Sequence, residues 1–334
     1  MNVLVVGGAG YIGSHMVKML THAGHDVTTF DNLSTGHRDA VKYGRFVEGD
    51  LADREALDTL FRAERFDGAM HFASFIQVGE SVSAPAKYYR NNFSNTQNLL
   101  DAMADHHVTR FIFSSTAAIF GEPAYTPIDE EHPRLPINPY GRSKHMVEEM
   151  LEDYDRAYGI KSIRLRYFNA SGADPEGELG ERHEPETHLI PLVLQAASGR
   201  RDVITVFGDD YDTPDGTCIR DYIHVQDLCA AHLLAMNALE KGAAEGAFNL
   251  GNGNGYSIRE VLDVAREVCG APIRVIRGAR RAGDPARLVA DSTKAREVLG
   301  WKPERSDLAA IVGDAWRWEL GVAERSAATN VVGN

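Results

Sequence analysis

The chain has 334 residues, 43% of them apolar and 25% charged, which gives a prior of about two domains and enough length to bury a core without cross-links. Its 35 lysines and arginines against 48 aspartates and glutamates leave a net charge of −13, so neither nucleic acid nor an anionic membrane is an expected partner. The first residues form no secretion signal or membrane span, and the three cysteines (Cys218, Cys229 and Cys269) form no CxxC pair. We therefore expect a cytoplasmic protein without a disulfide framework.

Short apolar runs alternate with helical patterns over residues 1–168. The β-branched run from Val3 to Val6 predicts a buried strand, and apolar spacing over 12–23 predicts a helix. Further strands are predicted at 27–30, 45–47, 69–72, 111–113 and 162–165, and helices at 53–65, 88–106 and 140–158. This alternation predicts an α/β fold, a Rossmann-like doubly wound parallel sheet, in a first domain over 1–168.

The pattern changes after residue 168. Segment 169–186 is rich in glycine, proline and acidic residues and predicts a loop. Shorter elements follow, with helices near 189–198, 225–239 and 257–269, a strand near 204–206, and a last helix that includes Leu308 and Trp316. They predict a smaller C-terminal α/β substrate lobe over 169–321, with some later segments packing back onto the first domain, and a flexible tail over 322–334.

Three glycines, Gly7, Gly10 and Gly13, follow the first predicted strand and open the first helix. They permit a tight turn, close approach of the backbone to a pyrophosphate, and close helix–strand packing. Asp31 ends the second predicted strand, where a carboxylate accepts hydrogen bonds from ribose hydroxyls and repels a 2′-phosphate. The pattern predicts NAD in preference to NADP; the alternatives are a purely structural glycine turn, and a turn begun by Asp31 with Asn32.

Tyr140 and Lys144 lie four residues apart on a predicted helix and therefore share one face. A phenol has an ordinary pKa of about 10, and both a neighbouring ammonium and an oxidised nicotinamide favour its phenolate. Ser114, Ser115 and Thr116 end the preceding strand, at the edge where open α/β sheets bind ligands. The combination predicts acid–base catalysis, although tyrosine and lysine at this spacing also occur on solvated helix faces.

Together these motifs resemble those of the extended short-chain dehydrogenase/reductases, and five stretches narrow the resemblance to the UDP-glucose 4-epimerases of that family. They are GGAGYIGSH at 7–15, VGES at 78–81, RYFN at 166–169, DGTCIRDYIHV at 215–225 and RRAGD at 280–284. The resemblance covers the chain from residue 1 to about 320. It implies a reversible epimerisation at C4 of UDP-glucose and UDP-galactose through a 4-keto intermediate, with retained NAD, in galactose metabolism or glycan precursor supply.

The resemblance also implies roles for individual residues. The catalytic group would be Thr116, Tyr140 and Lys144. The cofactor would contact Gly7, Gly10, Tyr11, Ile12, Gly13, Asp31, Asn32, Leu33, Ser34, Thr35, Gly36, Asp50, Leu51, Phe72, Ala73, Ser74, Asn91, Tyr140, Lys144 and Phe168. The UDP-sugar would contact Thr116, Tyr140, Asn169, His188, Leu189, Phe207, Arg220, Tyr222, Arg281, Asp284 and Leu288.

The family is usually a homodimer that pairs two long helices of the first domain, here 88–106 and 139–158. The candidate apolar contacts of the second helix are Met146, Met150, Leu151 and Tyr154. No metal is expected, because His183 and His188 lie in a loop without a recognisable ligand spacing.

Three positions depart from the family pattern. Ile76 stands where some members have a lysine that contacts the cofactor, and His188 stands where asparagine is frequent. Leu288 stands where some epimerases have a bulky tyrosine beside the C2 substituent of the sugar. The smaller side chain leads to the hypothesis that UDP-GlcNAc and UDP-GalNAc are also accepted.

Other functions compete with this one. A sugar-nucleotide 4,6-dehydratase would carry Asp-Glu after Thr116, where this chain has Ala117 and Ala118. A UDP-xylose/UDP-arabinose 4-epimerase has a substrate that differs only at C6 and stays an alternative. A catalytically silent NAD-binding protein would lack Tyr140 or Lys144, and both are present.

Overall fold

The computed structural model describes residues 1–280 and 284–332, with side chains up to residue 324. The strands in these ranges are β1 (Asn2–Val6), β2 (Asp26–Asp31), β3 (Arg45–Glu48), β4 (Gly68–His71), β5 (Arg110–Thr116), β6 (Lys161–Tyr167), β7 (Asn169–Ser171), β8 (Ile204–Phe207), β9 (Ile219–Arg220), β10 (Tyr222–His224), β11 (Gly246–Leu250), β12 (Tyr256–Ser257), β13 (Val275–Gly278) and β14 (Arg287–Leu288). The helices are α1 (Tyr11–His22), α2 (Arg54–Ala63), α3 (Val78–Ser83), α4 (Pro85–Tyr88), α5 (Asn95–Asp105), α6 (Pro139–Tyr158), α7 (Leu189–Ala197), α8 (Val225–Glu240), α9 (Ile258–Cys269), α10 (Thr293–Val298) and α11 (Leu308–Val332).

Seven parallel strands form the main sheet in the order β11-β6-β5-β4-β1-β2-β3. The strand order reverses between β1 and β4, and ligands of open α/β sheets bind at such a switch point, beyond the carboxyl ends of the strands. The doubly wound parallel sheet predicted from the sequence is thereby confirmed.

The sheet buries both faces, as the wholly apolar strand β1 predicts. Val3 and Val5 face a core shared with α1 and α8, whereas Leu4 and Val6 face a core shared with α2, α5 and α6. All four of these side chains are buried, and alternate residues of a strand must point to opposite faces.

The later part of the chain adds β11, α8 and α10 to the unit built on the main sheet, since Ala295 of α10 belongs to the same core. β11 pairs in parallel with β6, and α8 covers one face of the sheet with Leu228, Cys229 and Met236. The smaller lobe has its own core, built from α7, α9 and α11 with β8, and its strands form three small sheets, β12-β9-β14, β13-β8 and β10-β7. Helix α11 runs to Val332 and thus includes most of the predicted tail.

The helix predicted over 88–106 is not a single α-helix. A π-helical segment, Tyr89–Ser94, joins α4 to α5. Within it the Asn92 amide accepts a hydrogen bond from Phe75 N at 2.9 Å and donates one to Phe75 O at 3.0 Å. The side chain therefore holds the segment that follows β4 against the helix.

Among the described residues, no helix is both long and apolar enough to cross a membrane.

Candidate functional site

The turn between β1 and α1 leaves no room for a side chain at Gly7 or Gly13. A Cβ atom on Gly7 would lie 2.5 Å from Ala73 N, and one on Gly13 would lie 2.1 Å from the carbonyl oxygen of Gly7. Gly7 also has a φ of +81°, which favours glycine. Gly10, the N-cap of α1, provides no side-chain cap, so the N–H groups of the first turn are suited to bind an anion such as a pyrophosphate.

Asp31 ends β2 at the edge of the same turn. Its Oδ2 accepts a hydrogen bond from Ala9 N at 2.9 Å, and its Oδ1 accepts one from Leu33 N at 2.8 Å. Burial raises the pKa of Asp31, and these two N–H donors oppose the shift. The carboxylate thus begins a turn, as one alternative predicts, and it also lies at the position where a ribose would bind.

A groove runs along the carboxyl ends of β1, β2 and β4. Across one end of it, Asn32 Nδ2 donates to Asp50 Oδ2 at 2.8 Å. Its lining includes these predicted cofactor residues: Gly7, Gly10, Asp31, Asn32, Ser34, Thr35, Gly36, Asp50, Leu51, Phe72, Ala73, Ser74 and Asn91. A glycine cradle, an uncapped helix N-terminus and a terminal carboxylate are the donor and acceptor set of a dinucleotide, so the residues present fit NAD.

Four further predicted cofactor residues lie next to lining residues along the chain. Ile12 and Gly13 belong to α1, and Leu33 follows Asp31 directly. Tyr11 donates its hydroxyl to Gly172 O at 2.7 Å, and burial raises the pKa of its phenol. Tyr11 therefore ties the start of α1 to the loop that follows β7.

Helix α6 begins against the end of β5. The side chain of Asn138 caps it by accepting a hydrogen bond from Gly141 N at 2.8 Å, and Pro139 occupies the first turn. A Cβ atom on Gly141 would lie 2.3 Å from Ala118 O, so α6 packs directly on the turn that follows Thr116. This close contact brings Tyr140 to Thr116.

The catalytic residues predicted from the sequence lie together at this contact. Burial raises the pKa of Tyr140, and the Thr116 side chain opposes that rise without cancelling it. Lys144, which is 2% exposed, donates from Nζ to Ser74 Oγ and Ser114 O, both at 2.7 Å. Burial lowers the pKa of Lys144 to about 7, and the nearby charge of Glu148 opposes that shift.

Glu148 is a buried acid that none of the sequence motifs indicates. It accepts hydrogen bonds from Ser115 Oγ at 2.6 Å and from Arg166 Nη2 at 2.6 Å and Nε at 3.0 Å. Burial raises the pKa of Glu148, but the Arg166 guanidinium outweighs that effect and leaves it lowered. Its position four residues after Lys144 and eight after Tyr140 places it on their helix face, which is the signal that could have revealed it.

In the smaller lobe, Arg220 and Asp284 meet in an ion pair between Nη2 and Oδ1. Tyr211, which the motifs did not indicate, donates its hydroxyl to the other carboxylate oxygen of Asp284 at 3.3 Å. Leu288 on β14 is in register with Arg220 on β9, so it lies next to the pair. Arg281 lies outside the described residues.

Phe168 and Leu288 border one small apolar cluster after β5. The buried members of that cluster are Ala117, Ile119, Phe120 and Ile128. The predicted nicotinamide contact and the predicted sugar contact are thus brought to the same place, beside Thr116.

Other residues predicted to contact the UDP-sugar make contacts within the smaller lobe. Asn169 Nδ2 donates to Asp221 O at 2.9 Å, and Asn169 is in register with Tyr222 where β7 and β10 pair. Tyr222 is buried in the lobe core, against which Leu189 packs. Phe207 ends β8, where a Cβ atom on its pairing partner Gly278 would lie 2.9 Å from the ring.

His188 lies among carboxylates. Its Nδ1 is 2.7 Å from Glu181 Oε1 and 3.2 Å from Glu186 Oε1, and His183 faces the same two acids. Burial lowers the pKa of both imidazoles, but the carboxylates outweigh it and raise the pKa of His188 to about 10 and that of His183 to about 9. The loop therefore gathers histidines that look scattered in the sequence.

Comparison with known proteins shows the family to which the chain belongs. The profile of the NAD dependent epimerase/dehydratase family matches residues 3–251. The chain belongs to this family. A family relative from Halalkalibacterium halodurans, a UDP-glucose 4-epimerase, is 51% identical over 318 residues, which cover 95% of each chain.

Solved structures of similar proteins share the whole architecture. The crystal structure of the UDP-glucose 4-epimerase from Brucella ovis in complex with NAD has a TM-score of 0.93 and 53% identity, and the match covers 94% of this chain and 97% of that one. The structure of the UDP-Glc/GlcNAc 4-epimerase from Campylobacter jejuni has a TM-score of 0.84 and 44% identity, and the match covers 96% and 99%. The resemblance seen in the motifs is therefore confirmed.

Proposed function

We propose that this chain is an NAD-dependent enzyme that interconverts UDP-glucose and UDP-galactose by inversion at C4. The observation that carries the proposal is the meeting of Tyr140, Lys144 and Thr116 at the end of β5, beside a groove built for a dinucleotide. Family membership and relatives of about 50% identity support it.

The groove residues between Gly7 and Asn91 hold the cofactor in this proposal, with Asp31 at the ribose and the N-terminus of α1 at the pyrophosphate. When bound, NAD supplies the nicotinamide that accepts the C4 hydride and returns it. Lys144 lies one helical turn after Tyr140, and when it is protonated its charge favours the phenolate.

Tyr140 is the acid and base. Its phenolate oxygen takes the proton of the 4-hydroxyl, directly or through Thr116, and later returns it, so each turnover leaves the tyrosine as it began. The Thr116 side chain opposes the rise in the pKa of Tyr140, which places its hydroxyl beside the phenol, where it can pass the proton. A carboxylate after Thr116 would be needed for 4,6-dehydration, and Ala117 and Ala118 occupy those positions.

The nucleotide, and not the hexose, anchors the substrate in this proposal. Arg220 presents a guanidinium fork suited to a diphosphate, and Asp284 holds that fork from the other side. Phe207 offers an aromatic face at the end of β8. Asn169, His188, Leu189, Tyr222 and Arg281 are further candidates for this anchor. Because inversion requires the keto sugar to present both faces, binding energy placed on the UDP leaves the ring free to turn.

The test is conversion of UDP-galactose to UDP-glucose, followed by NMR, with protein purified without added cofactor. We expect conversion, and we expect Tyr140→Phe to lose it. Tyr158→Phe is the matched control, since Tyr158 lies exposed at the far end of the same helix. Absence of conversion by folded protein, even with NAD supplied, would contradict the proposal. UDP-xylose assayed in parallel tests the pentose alternative.

A second candidate substrate class is the N-acetylated UDP-hexoses. Leu288 borders the same apolar cluster as Phe168, and the relative from Campylobacter jejuni is a UDP-Glc/GlcNAc 4-epimerase. We expect turnover of UDP-GlcNAc, and we expect Leu288→Tyr to lower it more than it lowers turnover of UDP-glucose. Undetectable turnover of UDP-GlcNAc by the unaltered chain would rule this class out.

The homodimer stays a proposal, with α5 and α6 as its helices. Leu151 is fully buried in the core of its own chain, so it is not available for the interface. Tyr154 bonds Asp101 through its hydroxyl and links α6 to α5 within the chain. Met146 and Met150 are the remaining apolar candidates, and light scattering coupled to size-exclusion chromatography measures the mass in solution.

We also propose a reducing, cytoplasmic location. Cys229 and Cys269 are free thiols in the described structure, and no two of the three cysteines form a CxxC pair in the sequence. Titration of thiols in protein taken directly from its source would find all three reduced.

A further inference from the structure

The loop between β7 and α7 brings together two carboxylates and two imidazoles. Glu181, His183, Glu186 and His188 each offer one donor atom, and these four atoms lie within 4.8 Å of one another. Motif spacing did not predict this cluster, because the loop has to fold back on itself to form it.

The distances between the donors match those around a small metal ion. His183 Nδ1 is 3.1 Å from Glu181 Oε1 and 3.6 Å from Glu186 Oε2, and His188 Nδ1 is 2.7 Å and 3.2 Å from the same two residues' Oε1 atoms. Bonds of about 2.0–2.1 Å in a tetrahedron place neighbouring ligands about 3.3 Å apart. The four observed separations bracket that value.

The two acids are removed from water. The side chain of Glu181 is 6% exposed and that of Glu186 is 5% exposed. Buried carboxylates require a cation or several hydrogen bonds. Nδ1 of His183 is itself buried and, although it is near both acids, it lacks hydrogen-bond geometry to them.

The surrounding chain holds the donors in place. Glu186 Oε1 accepts hydrogen bonds from Thr187 N at 2.7 Å and His188 N at 2.8 Å, and Trp318 Nε1 donates to the carbonyl oxygen of Glu181 at 3.2 Å. Arg182, between two of the donors, pairs with Asp39 across the interface with the first unit. Partners of this kind orient the ligands in metal sites.

A cavity of about 360 Å³ gives access to the cluster. Glu181, His183 and Glu186 lie in its wall, together with residues of α7 and α11. It is lined by different residues from those of the dinucleotide groove. A metal ion could therefore enter without displacing the cofactor.

A second acidic cluster in the described structure shows the contrasting case. Asp174, Glu176 and Glu178 also converge, but Lys18 Nζ lies at their centre, 2.8, 2.5 and 3.0 Å from their oxygens. An ammonium ion already balances that cluster. In the loop cluster the acids pair with imidazolium groups; unlike an ammonium, an imidazole that gives up its proton is a metal ligand, so a metal ion would bind there with release of protons.

We propose that Glu181, His183, Glu186 and His188 bind one Zn²⁺ ion. Two imidazole nitrogens and two carboxylate oxygens suit Zn²⁺ among the common divalent ions, and four protein ligands make the site structural. The ion fixes the loop that joins Tyr11, through Gly172, to the start of α7. The assignment makes the His188 side chain a metal ligand in place of a candidate contact of the UDP, and it does not depend on the proposed chemistry at C4.

The test titrates metal-stripped full-length protein with ZnCl₂ by calorimetry, with thermal unfolding measured in parallel. We expect one ion per chain and a rise in melting temperature on binding. Glu186→Gln and His183→Asn are each expected to weaken affinity at least about tenfold. Glu176→Gln is the matched control, because it removes a carboxylate from the cluster that Lys18 already neutralises, and it should leave affinity unchanged.

A spectrum of the Co²⁺-loaded protein makes the test independent of how well the variants fold. We expect the intense visible bands of tetrahedral Co²⁺ for the unaltered chain, and their loss when Zn²⁺ is added. Binding well below one equivalent, binding that survives both loop variants, or Co²⁺ bands absent from the unaltered chain would each overturn the proposal.

Discussion

The ammonium of Lys144 lies 2.7 Å from the main-chain oxygen of Ser114. A charged donor on α6 thus bonds to the backbone of β5, two residues before Thr116, and its second bond reaches Ser74 beyond β4. The lysine therefore fixes the distance between the tyrosine-bearing helix and the edge of the sheet.

Replacing Lys144 tests this arrangement. Lys144→Met removes the charge beside Tyr140 and leaves Ser114 O without its donor, so we expect kcat for UDP-galactose to fall by about 100-fold or more. Lys161→Met, which removes an exposed lysine at the start of β6, is the control and should retain activity. A Lys144→Met enzyme with nearly normal kcat would show that the charge is not needed.

The ion pair between Glu148 and Arg166 makes a prediction about stability. Each side chain is almost wholly buried. Glu148→Gln or Arg166→Met alone therefore leaves a buried charge without its partner and should lower the free energy of unfolding by about 3–5 kcal/mol. The double variant Glu148→Gln/Arg166→Met leaves no unpaired charge, so its loss of stability should be smaller than the sum of the losses in the two single variants. Urea unfolding of the four proteins measures the coupling, and strict additivity would contradict it.

Alanine substitution is expected to have opposite effects at two glycines, one in the turn after β1 and one on α11. Gly13→Ala places a methyl group 2.1 Å from Gly7 O, so the turn must move, and we expect lower stability and weaker NAD binding. Gly313→Ala on α11 meets nothing within 4 Å and should stabilise the helix by about 0.5–1 kcal/mol. Thermal unfolding and NAD titration distinguish the two, and equal effects would mean that close packing at Gly13 is not limiting.

Buried neutral histidines predict sensitivity to acid. Burial lowers the pKa of His232 to about 4, well below its ordinary value of 6.5. Between these two values the unfolded chain takes up a proton that the folded chain does not, so stability falls as the pH falls from about 6.5 towards 4. At pH 5 this histidine alone lowers the free energy of unfolding by up to about 2 kcal/mol relative to neutral pH.

His232→Asn should therefore flatten the fall in unfolding free energy between pH 7 and 5, measured by urea titration at each pH. His15 and His71 have lowered pKa values from the same cause, burial, so part of the slope will remain. His107→Asn changes an exposed residue and serves as the control. An unchanged slope in His232→Asn would contradict the argument.

Local patterns predicted most of the first unit. The run Val3 to Val6, the glycines after it and the carboxylate at Asp31 are signals within single segments, and the structure confirms the strands and helices they indicated. β11 was missed because Gly246, Ala247 and Asn249 give a five-residue strand no apolar pattern.

Contacts between distant segments could not be predicted in the same way. Arg166 and Tyr211 acquire their partners, Glu148 and Asp284, only through the fold. The grouping of Glu181 with His188 depends on the path of a loop that carries no periodic signal. Residues whose role is set by a neighbour far along the chain leave no mark in local spacing.

The pairing of β11 with β6 has a practical consequence for protein engineering. A chain cut after residue 168 would lack the outermost strand of its sheet and the helix α8 that shields one sheet face, so it would expose an open edge and a bare apolar surface. Exchanging substrate specificity between such enzymes therefore requires grafts with several junctions, placed on either side of α8 and β11. A single crossover point would separate the two parts that fold together.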